Sequence, residues 1–212
     1  MSQIAVNKVF DYRALRLLVG IIALAIPFVV WWVSNVYLTS ISASYYTDAR
    51  DAFVGMLFVV GAFLWAYNGH SQKQKLASKV AAVSAIGVAL FPTTCNTCMS
   101  STTGTLHYVF AAVLFIILTV FCFVFFQKDI KGQGGEKGRR SKIYFACGVL
   151  MVLAMLILAS QLVIDFEEKF GWTRVTFWAE ALALVAFGVA WIVAGKFLPG
   201  LASDKERLTL FN

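Results

Sequence analysis

The chain has 212 residues, of which 60% are hydrophobic and 14% are charged, and 19 are phenylalanines. This composition lies outside the range of soluble globular proteins and excludes an ordinary water-soluble enzyme or binding domain. The formal net charge is +7. The basic residues flank long apolar segments, so the charge indicates membrane topology and contact with anionic headgroups, and no nucleic acid partner is expected.

Six apolar segments are long enough to cross the hydrocarbon core of a bilayer, which is roughly 30 Å thick. They predict transmembrane helices at about 14–38, 51–69, 76–92, 106–127, 142–165 and 174–198. The first segment is too long for a signal peptide, and no small-residue cleavage site follows it. The prediction is an all-α polytopic membrane protein in which residues 1–212 form a single six-helix transmembrane domain.

Positive charges are concentrated at alternate ends of these segments. All of the 18 Lys and Arg residues except Arg50, Lys169 and Arg174 fall in the N-terminal region, in the loops after spans two and four, or in the C-terminal region. Lys and Arg are enriched in the cytoplasmic loops of membrane proteins. The pattern therefore predicts that both termini are cytoplasmic and that loops 39–50, 93–105 and 166–173 face outward.

Small and aromatic residues predict how the helices pack. Alanines at fourfold spacing in spans three and six, with Gly55 and Gly61 in span two, allow close helix contacts. The phenylalanines of span four predict a bulky face toward lipid. The alanines are Ala77, Ala81, Ala85, Ala89, Ala186, Ala190 and Ala194, and the phenylalanines are Phe110, Phe115, Phe121, Phe123, Phe125 and Phe126.

Glu180 is the strongest single functional candidate. It lies about six residues inside span six, or roughly 9 Å from the outer start of that helix. A carboxylate at this depth is costly unless it is protonated, paired or hydrated, so it indicates a functional site. The competing interpretation is structural: an acid that is hydrogen-bonded to a neighbour and fixes helix packing.

Further polar residues are predicted on the same side of the membrane, from spans two, five and six. Gln161 and Asp165 lie four residues apart and share one face of span five. An outward-facing pocket formed by these residues would suit an ionic or amphipathic molecule. The predicted ligand-binding residues are Asp48, Arg50, Asp51, Gln161, Asp165, Arg174 and Glu180.

His107 opens span four on the same side. A lone histidine at an interface is more often solvated or a helix cap than a ligand. If the protein is an enzyme, His107 and Glu180 are the candidate catalytic residues, with either serving as general base. A site rich in carboxylates would suit calcium, magnesium or manganese, but the sequence leaves the metal, and any other cofactor, unknown.

A structural account competes for the residues at the start of span two. Asp48 can cap this helix, and Asp51 falls at its third position, which approximates a capping box. Both charges also favour a helix N-terminus through the helix dipole. Ser42, Ser44 and Thr47, just before them, are either pocket-lining residues or local capping residues.

Cys95 and Cys98 form a CxxC pair in the second outer loop. Outside the cytoplasm such a pair can be a structural disulfide, a redox-active dithiol or half of a metal site. A structural disulfide or an inert pair is favoured over redox catalysis, because Cys122 and Cys147 lie within spans toward the other side and do not supply a second redox pair. A zinc site would need further ligands, of which His107 is the nearest.

Three stretches resemble an uncharacterised bacterial membrane family, known as domain of unknown function 998. They are SASYYTDARDAFVGMLFVVGAFLWAYNGH (42–70), SAIGVALFPTT (84–94) and HYVFAAVLFIILTVFCFVFF (107–126). The resemblance covers about 42–127 and implies a helical protein of the bacterial cytoplasmic (inner) membrane. It implies no particular activity, because none is established for the family.

A more distant similarity is to intramembrane hydrolases of the alkaline ceramidase type. Those enzymes hold zinc with several helix-borne histidines, together with Ser and Asp. This chain has Asp48, Asp51, His107 and Glu180 in its outer half but lacks the additional histidines. The departure argues against a zinc-dependent amidase.

The sequence supports four hypotheses, of which the first is favoured narrowly over the second. The first is a membrane-embedded binding or transport protein with an outward-facing polar pocket. The second is an intramembrane, metal-assisted hydrolase of a lipid-like substrate. The third is thiol–disulfide exchange through Cys95 and Cys98, and the fourth is a structural or partner-binding membrane subunit. The lipid bilayer is an expected partner in every case, and the oligomeric state is left open.

Overall fold

The computed structural model describes residues 12–94, 102–128, 130–161, 163–203 and 206. In this part of the chain the ordered elements are helical and no strand is formed, so the predicted all-α class is confirmed. A 3₁₀ helix, Ser42–Tyr46, precedes α2, and a π-helical segment, Phe121–Phe125, extends α4. The α-helices are α1 (Tyr12–Val33), α2 (Arg50–Ala66), α3 (Gln72–Leu90), α4 (Thr102–Val120), α5 (Gly135–Ser160), α6 (Phe166–Phe170) and α7 (Val175–Ala194).

The six longer helices pack in a closed circle. Each contacts its neighbours along the chain, α5 packs on α7, and α7 returns to α1. Successive helices run in opposite directions, so their ends gather in two groups. We call one group the Glu180 end, which holds the end of α1 and the start of α7. The other is the Arg16 end, which holds the start of α1 and the end of α7.

Within the described residues, four helical segments are long and apolar enough to cross a membrane: α1, Thr102–Phe125, α5 and α7. α2 has 17 residues, and α3 carries Lys73, Lys75 and Lys79 in its first turns. These two helices fall short by length or by composition. The chain is therefore a helical, membrane-type protein with four strong spanning segments.

The end of the predicted first span and the start of the fifth differ from the prediction. α1 ends at Val33 instead of near residue 38, because Asn35 adopts a left-handed conformation with φ of 51° that terminates the helix. α5 begins at Gly135, well before the predicted residue 142. Its first turn carries Glu136, whose negative charge favours a helix N-terminus.

Aromatic side chains fill the core near the Arg16 end. Trp191 of α7 is fully buried, and its ring centroid lies 5.6 Å from that of Tyr67, 5.4 Å from Phe121 and 5.8 Å from Phe126. The prediction that the phenylalanines of span four face lipid is therefore wrong for Phe121 and Phe126. The π-helical turn changes the helical register there and directs both rings inward.

The small residues lie mostly inside the bundle, as their spacing predicts. A Cβ atom at Gly20 of α1 would lie 2.7 Å from the carbonyl oxygen of Gly188 in α7, so the two backbones touch. Gly61 of α2 is likewise closed in by Ile86 of α3. Gly55 is the exception, since it has open space at its Cβ position. Of the alanines that the sequence singles out, the buried ones are Ala81, Ala85, Ala89, Ala186, Ala190 and Ala194.

Candidate functional site

Glu180 lies one turn inside α7 and is held by hydrogen-bond donors from the segment that follows α1. Ser40 Oγ donates to Glu180 Oε2 at 2.8 Å, and Ser42 Oγ donates to Oε1 at 2.9 Å. The backbone N–H of Ile41 also donates to Oε2, in a short bond. A carboxylate only accepts hydrogen bonds. This set of donors therefore satisfies both oxygens of the predicted intramembrane acid.

The donors belong to a strap, residues 37–42, that runs from the end of α1 to the first residue of the 3₁₀ helix and lies along the start of α7. Tyr37 OH donates to Thr173 Oγ1 at 3.0 Å. The N–H of Phe177 donates to the carbonyl oxygen of Thr39 at 2.9 Å, which pairs a first-turn N–H that has no partner within its own helix. Leu38 and Ile41 of the strap are buried in the core. Glu180 thus closes a series of contacts that fasten the strap to α7.

Arg174 immediately precedes α7 and is enclosed by aromatic rings. Its guanidinium carbon lies 4.2 Å from the ring centroid of Phe177, 4.8 Å from that of Tyr37 and 5.8 Å from that of Trp178. Its Nε and Nη2 atoms are buried and have no hydrogen-bond partner in the part of the chain that the structure describes. A cation between aromatic faces is stabilised by the ring quadrupoles, but charged donors left unpaired are costly.

The backbone of Arg174 is strained as well. Its φ is 62°, in the left-handed region, which costs a residue with a side chain roughly 1–3 kcal/mol. This conformation turns the chain from Thr173 into α7 and sets the direction of the guanidinium. The surroundings that hold it are the strap residue Tyr37 and the first turn of α7.

α5 ends at Ser160, so the prediction that Gln161 and Asp165 share one face of span five is wrong, and the two residues have different surroundings. Gln161 Oε1 accepts a hydrogen bond from Thr176 Oγ1 at 2.7 Å, which joins the end of α5 to the start of α7. Asp165 caps α6, and its Oδ1 accepts from the N–H groups of Glu167 and Glu168, both at 3.0 Å. Gln161 therefore contacts the helix that carries Glu180, whereas the described hydrogen bonds of the Asp165 side chain are to α6.

An open concavity of about 370 Å³ lies beside Asp165. It is formed by the junction of α5 and α6 and does not include Glu180 or Arg174. Its lining residues are Val163, Ile164, Asp165, Glu168 and Lys169.

The candidates at the start of α2 lie near the surface, and their described contacts do not reach Glu180. Arg50 lies over the ring of Tyr45, with the guanidinium carbon 4.5 Å from the centroid, and donates to Tyr45 OH at 3.1 Å. The cap residue of α2 is Ala49, without a side-chain capping bond. The capping expected of Asp48 is therefore not seen. Thr47 Oγ1 instead accepts from the N–H of Ala49.

His107 is buried at the start of α4, with 2% of its surface exposed. Its Nδ1 lies 2.7 Å from the carbonyl oxygen of Phe91. Because a carbonyl oxygen only accepts, Nδ1 carries the hydrogen in this contact. The imidazole thus fastens α4 to the end of α3, and its described hydrogen bonds share no residue with those of Glu180.

The CxxC pair, Cys95 and Cys98, lies outside the described residues, so the predicted disulfide remains a prediction. Cys122 and Cys147 are buried free thiols in the core. Among the described residues, no group of three or more His, Cys, Asp or Glu side chains is arranged to hold a metal ion.

A second polar region, which the sequence reasoning missed, lies at the Arg16 end. Arg16 is only 6% exposed. Its Nη1 donates to the carbonyl oxygen of Ala194 and its Nη2 to Tyr67 OH, both at 2.9 Å, and Nη2 also lies 3.1 Å from His70 Nε2. The topology rule counts Arg16 only as a charge that marks the cytoplasmic side. Its position four residues inside α1, in an apolar sequence, is the available signal that it is buried.

Arg140 of α5 is the other buried arginine at this end, and it is 2% exposed. Its Nη1 donates to the carbonyl oxygen of Leu201 at 2.6 Å, and its Nη2 donates to Glu206 Oε2 at 3.1 Å. Lys196 Nζ lies 3.5 Å from the same carboxylate oxygen. Glu206 therefore forms ion pairs with basic residues from two separate parts of the bundle.

The apolar helices and the polar groups at both ends define a helical membrane protein with two buried polar regions. A family model described as "Protein of unknown function (DUF998)" matches residues 21–194, and the chain belongs to that family. The match extends the resemblance seen in residues 42–127 to the first span and to the last two. No curated protein and no solved structure matches the chain, and nothing found supports the ceramidase-like similarity.

Proposed function

We propose that this chain is a six-span protein of the bacterial inner membrane that binds an ionic or amphipathic small molecule at the Glu180 end. In this proposal the Glu180 end faces outward, both termini are cytoplasmic, and residues 1–212 form one transmembrane domain. Binding is the core of the proposal, and transport of the bound molecule would build on it.

Six spans are supported by the position of α2 and α3 in the bundle. They pack between α1 and α4, both of which belong to the strong spanning segments. At 1.5 Å per residue, 17 residues extend over roughly 25 Å, which is close to the thickness of the hydrocarbon core. Both helices also expose apolar side chains that suit lipid, among them Phe58, Trp65, Leu76 and Val83.

The orientation is supported by the distribution of charge between the two ends. Arg50, Lys169 and Arg174 belong to the Glu180 end, whereas the other described Lys and Arg residues belong to the Arg16 end. The excess favours a cytoplasmic Arg16 end. Exposed Trp31, Trp32 and Trp172 at the Glu180 end fit a belt at the outer interface.

The observation that carries the binding proposal is the guanidinium of Arg174. Two of its donors are enclosed without a described hydrogen-bond partner, beside the exposed rings of Tyr37 and Trp178. Rotation of either ring would open these donors to a carboxylate or phosphate group, which guanidinium binds in a bidentate manner. The apolar rings would remain in contact with the hydrophobic part of the same molecule. The chemistry favours an anionic amphiphile.

Glu180 has a supporting role in this proposal. It holds the strap that carries Tyr37, one of the rings over Arg174. Loss of the carboxylate contacts would free the strap and alter the Arg174 site. An intramembrane acid in such a position could couple protonation to ligand release.

The alternatives have less support. A metal-assisted hydrolase needs a ligand set, and the described residues offer no such cluster. His107 is engaged by Phe91 and is not bonded to the groups around Glu180. Small-residue stripes that face lipid would favour a purely structural subunit, but most of the alanines at fourfold spacing in spans three and six are buried within this bundle. Thiol exchange would depend on Cys95 and Cys98.

The proposal is tested by binding of oleate and lysophosphatidate to the full chain in phosphatidylcholine nanodiscs, with lysophosphatidylcholine as the zwitterionic control. Arg174→Gln should weaken binding of the anionic probes by about tenfold to a hundredfold, since a hydrogen bond to a charged group contributes about 1.5–3 kcal/mol. Lys169→Gln removes an exposed cation at the same end and should leave binding unchanged. Arg174→Gly accommodates the left-handed backbone, so its loss of binding could not be assigned to strain.

Equal binding by Arg174→Gln and Lys169→Gln would refute the proposed contact. Metal content per chain separates the hydrolase alternative. A stoichiometric divalent ion that is lost in the His107→Ala, Glu180→Gln double variant would favour hydrolysis over binding.

A further inference from the structure

Basic residues from three parts of the bundle converge on Glu206 at the Arg16 end. Arg13 of α1 donates from Nη1 to the Glu206 carbonyl oxygen at 2.9 Å. Arg140 of α5 donates to the Glu206 carboxylate at 3.1 Å, and Lys196, just beyond α7, lies 3.5 Å from it. Residues separated by up to 193 positions in the sequence therefore meet around one acid.

Arg140 and Glu206 differ in their exposure to solvent: Arg140 is buried, whereas Glu206 is partly exposed. Arg140 is 2% exposed, and its Nη1 is fixed by the Leu201 carbonyl oxygen. The side chain of Glu206 is 34% exposed and that of Lys196 is 29% exposed. The carboxylate thus lies at the mouth of the cluster, where water and solutes can reach it. Displacement of Glu206 would leave the Arg140 Nη2 and the Lys196 ammonium directed at the vacated position.

Among the described residues, two side-chain cations face one carboxylate: Arg140 Nη2 lies 3.1 Å and Lys196 Nζ 3.5 Å from Glu206 Oε2. The pKa of Lys196 lies below its usual value because burial disfavours the ammonium, and Arg140 and Arg16 add repulsion, which together outweigh the attraction of Glu206. The pKa of Glu206 is lowered: although burial works to raise it, Lys196 and Arg140 more than compensate. An anion of higher charge than a carboxylate would match the two described cations better.

We propose that Arg140 and Lys196 form a binding site for a phosphate group, and that Glu206 occupies this site as an internal substitute for it. A phosphate carries more negative charge than a carboxylate and accepts from several donors at once, which suits a guanidinium and an ammonium side by side. The cluster lies where α1 and α5 begin and α7 ends. Phospholipid headgroups lie at this level of a membrane protein, and basic pockets between helices bind them there.

The phosphate can belong to an anionic lipid headgroup or to a free anion, and the probes separate these sources. The full chain in phosphatidylcholine nanodiscs is titrated with inorganic phosphate, with short-chain phosphatidate, whose headgroup is a phosphate monoester, and with short-chain phosphatidylcholine as the zwitterionic control. Dissociation constants are compared for the unchanged chain and for Glu206→Gln, Lys196→Gln and Lys73→Gln. Lys73 is an exposed cation at the same end, so its replacement matches the charge change of Lys196→Gln.

Glu206→Gln should bind the anionic probes about threefold to tenfold more tightly, because the negative charge of Glu206 no longer competes for the site. Lys196→Gln should bind them several-fold more weakly than Lys73→Gln. Tighter binding of phosphatidate than of phosphate identifies a lipid headgroup as the source, and equal binding identifies the free anion. Both results support the site.

Three results would overturn the inference. One is that neither anionic probe binds to the unchanged chain or to Glu206→Gln. Another is equal affinity of Lys196→Gln and Lys73→Gln. The third is weaker binding by Glu206→Gln, which would make Glu206 part of the site instead of a competitor. None of these depends on Arg174, so the binding proposal at the opposite end stands or falls separately.

Discussion

The two ends of the bundle bury opposite charges by different means. At the Glu180 end an acid on a helix accepts from hydroxyl and N–H donors of the strap. At the Arg16 end two arginines on helices donate to backbone carbonyl oxygens of Ala194 and Leu201 and to Tyr67. The backbone groups used lie at a helix end or outside the α-helices, where they have no partner within a helix.

Because of this difference, we expect the two ends to differ in rigidity. The acid is held by a short segment, whereas Arg16 is enclosed by helices and aromatic rings, with its guanidinium carbon 5.1 Å from the Tyr67 centroid and 5.9 Å from that of Phe126. We therefore expect the Arg16 end to be the rigid part of the bundle. The Glu180 end should rearrange more readily, which suits the end proposed to bind a ligand.

The largest effect is expected from Arg16→Met. It removes the donors to Ala194 and Tyr67 and leaves two buried acceptors without partners. The free energy of unfolding should fall by about 3 kcal/mol, measured by unfolding in mixed micelles with an increasing fraction of SDS. Arg139→Met, an exposed neighbour of Arg140, is the matched control and should have little effect. Equal stability of the two variants would contradict a rigid Arg16 end.

A smaller and more local effect is expected from Glu180→Gln. The amide keeps the shape and one acceptor oxygen but cannot accept from all the donors of Ser40, Ile41 and Ser42. We expect a loss of about 1–2 kcal/mol and faster hydrogen exchange at the amides of residues 38–42. Glu168→Gln, an exposed acid at the same end, should change neither quantity. Unchanged exchange in the strap would show that Glu180 does not hold it.

The apolar helices and the importance of Glu180 can be predicted from the sequence, because both are local signals. Hydrophobic periodicity and a single acid in an apolar segment are visible without knowing any contact. Ser40 is not singled out in this way. It lies 140 positions from Glu180 in sequence, and the predicted first span extends nearly to it, which hides the strap. The left-handed turn at Asn35 that creates the strap leaves only a weak signal in the sequence.

The Arg16 end shows a second limit of sequence reasoning. A charge count treats Arg16 and Arg140 like the other basic residues of their region, since the topology rule uses number and side but not burial. Their burial results from tertiary contacts with Ala194 and Leu201, which come from the far end of the chain. Asp48 shows a different limit. Its residue type suits a helix cap, but α2 begins at Arg50 and its cap residue is Ala49.

The smallest effect, and the one that sharpens the comparison most, concerns Glu206 and acid. Its pKa is lower in the folded protein than in the unfolded chain, because Lys196 and Arg140 outweigh the opposing effect of burial. Its contribution to stability is therefore present above the ordinary pKa of glutamate and is lost as the pH falls through the lowered value. Glu206 is partly exposed, so the contribution should stay below about 1 kcal/mol. In unfolding measurements from neutral pH to about pH 3, Glu206→Gln should be slightly less stable than the unchanged chain at neutral pH, and the two should converge in acid. A difference that persists at low pH would show that the Glu206 side chain acts through contacts that do not need its charge. Convergence in acid would instead show that a partly exposed ion pair supports the Arg16 end, whereas the carboxylate of Glu180 at the opposite end is held by uncharged donors.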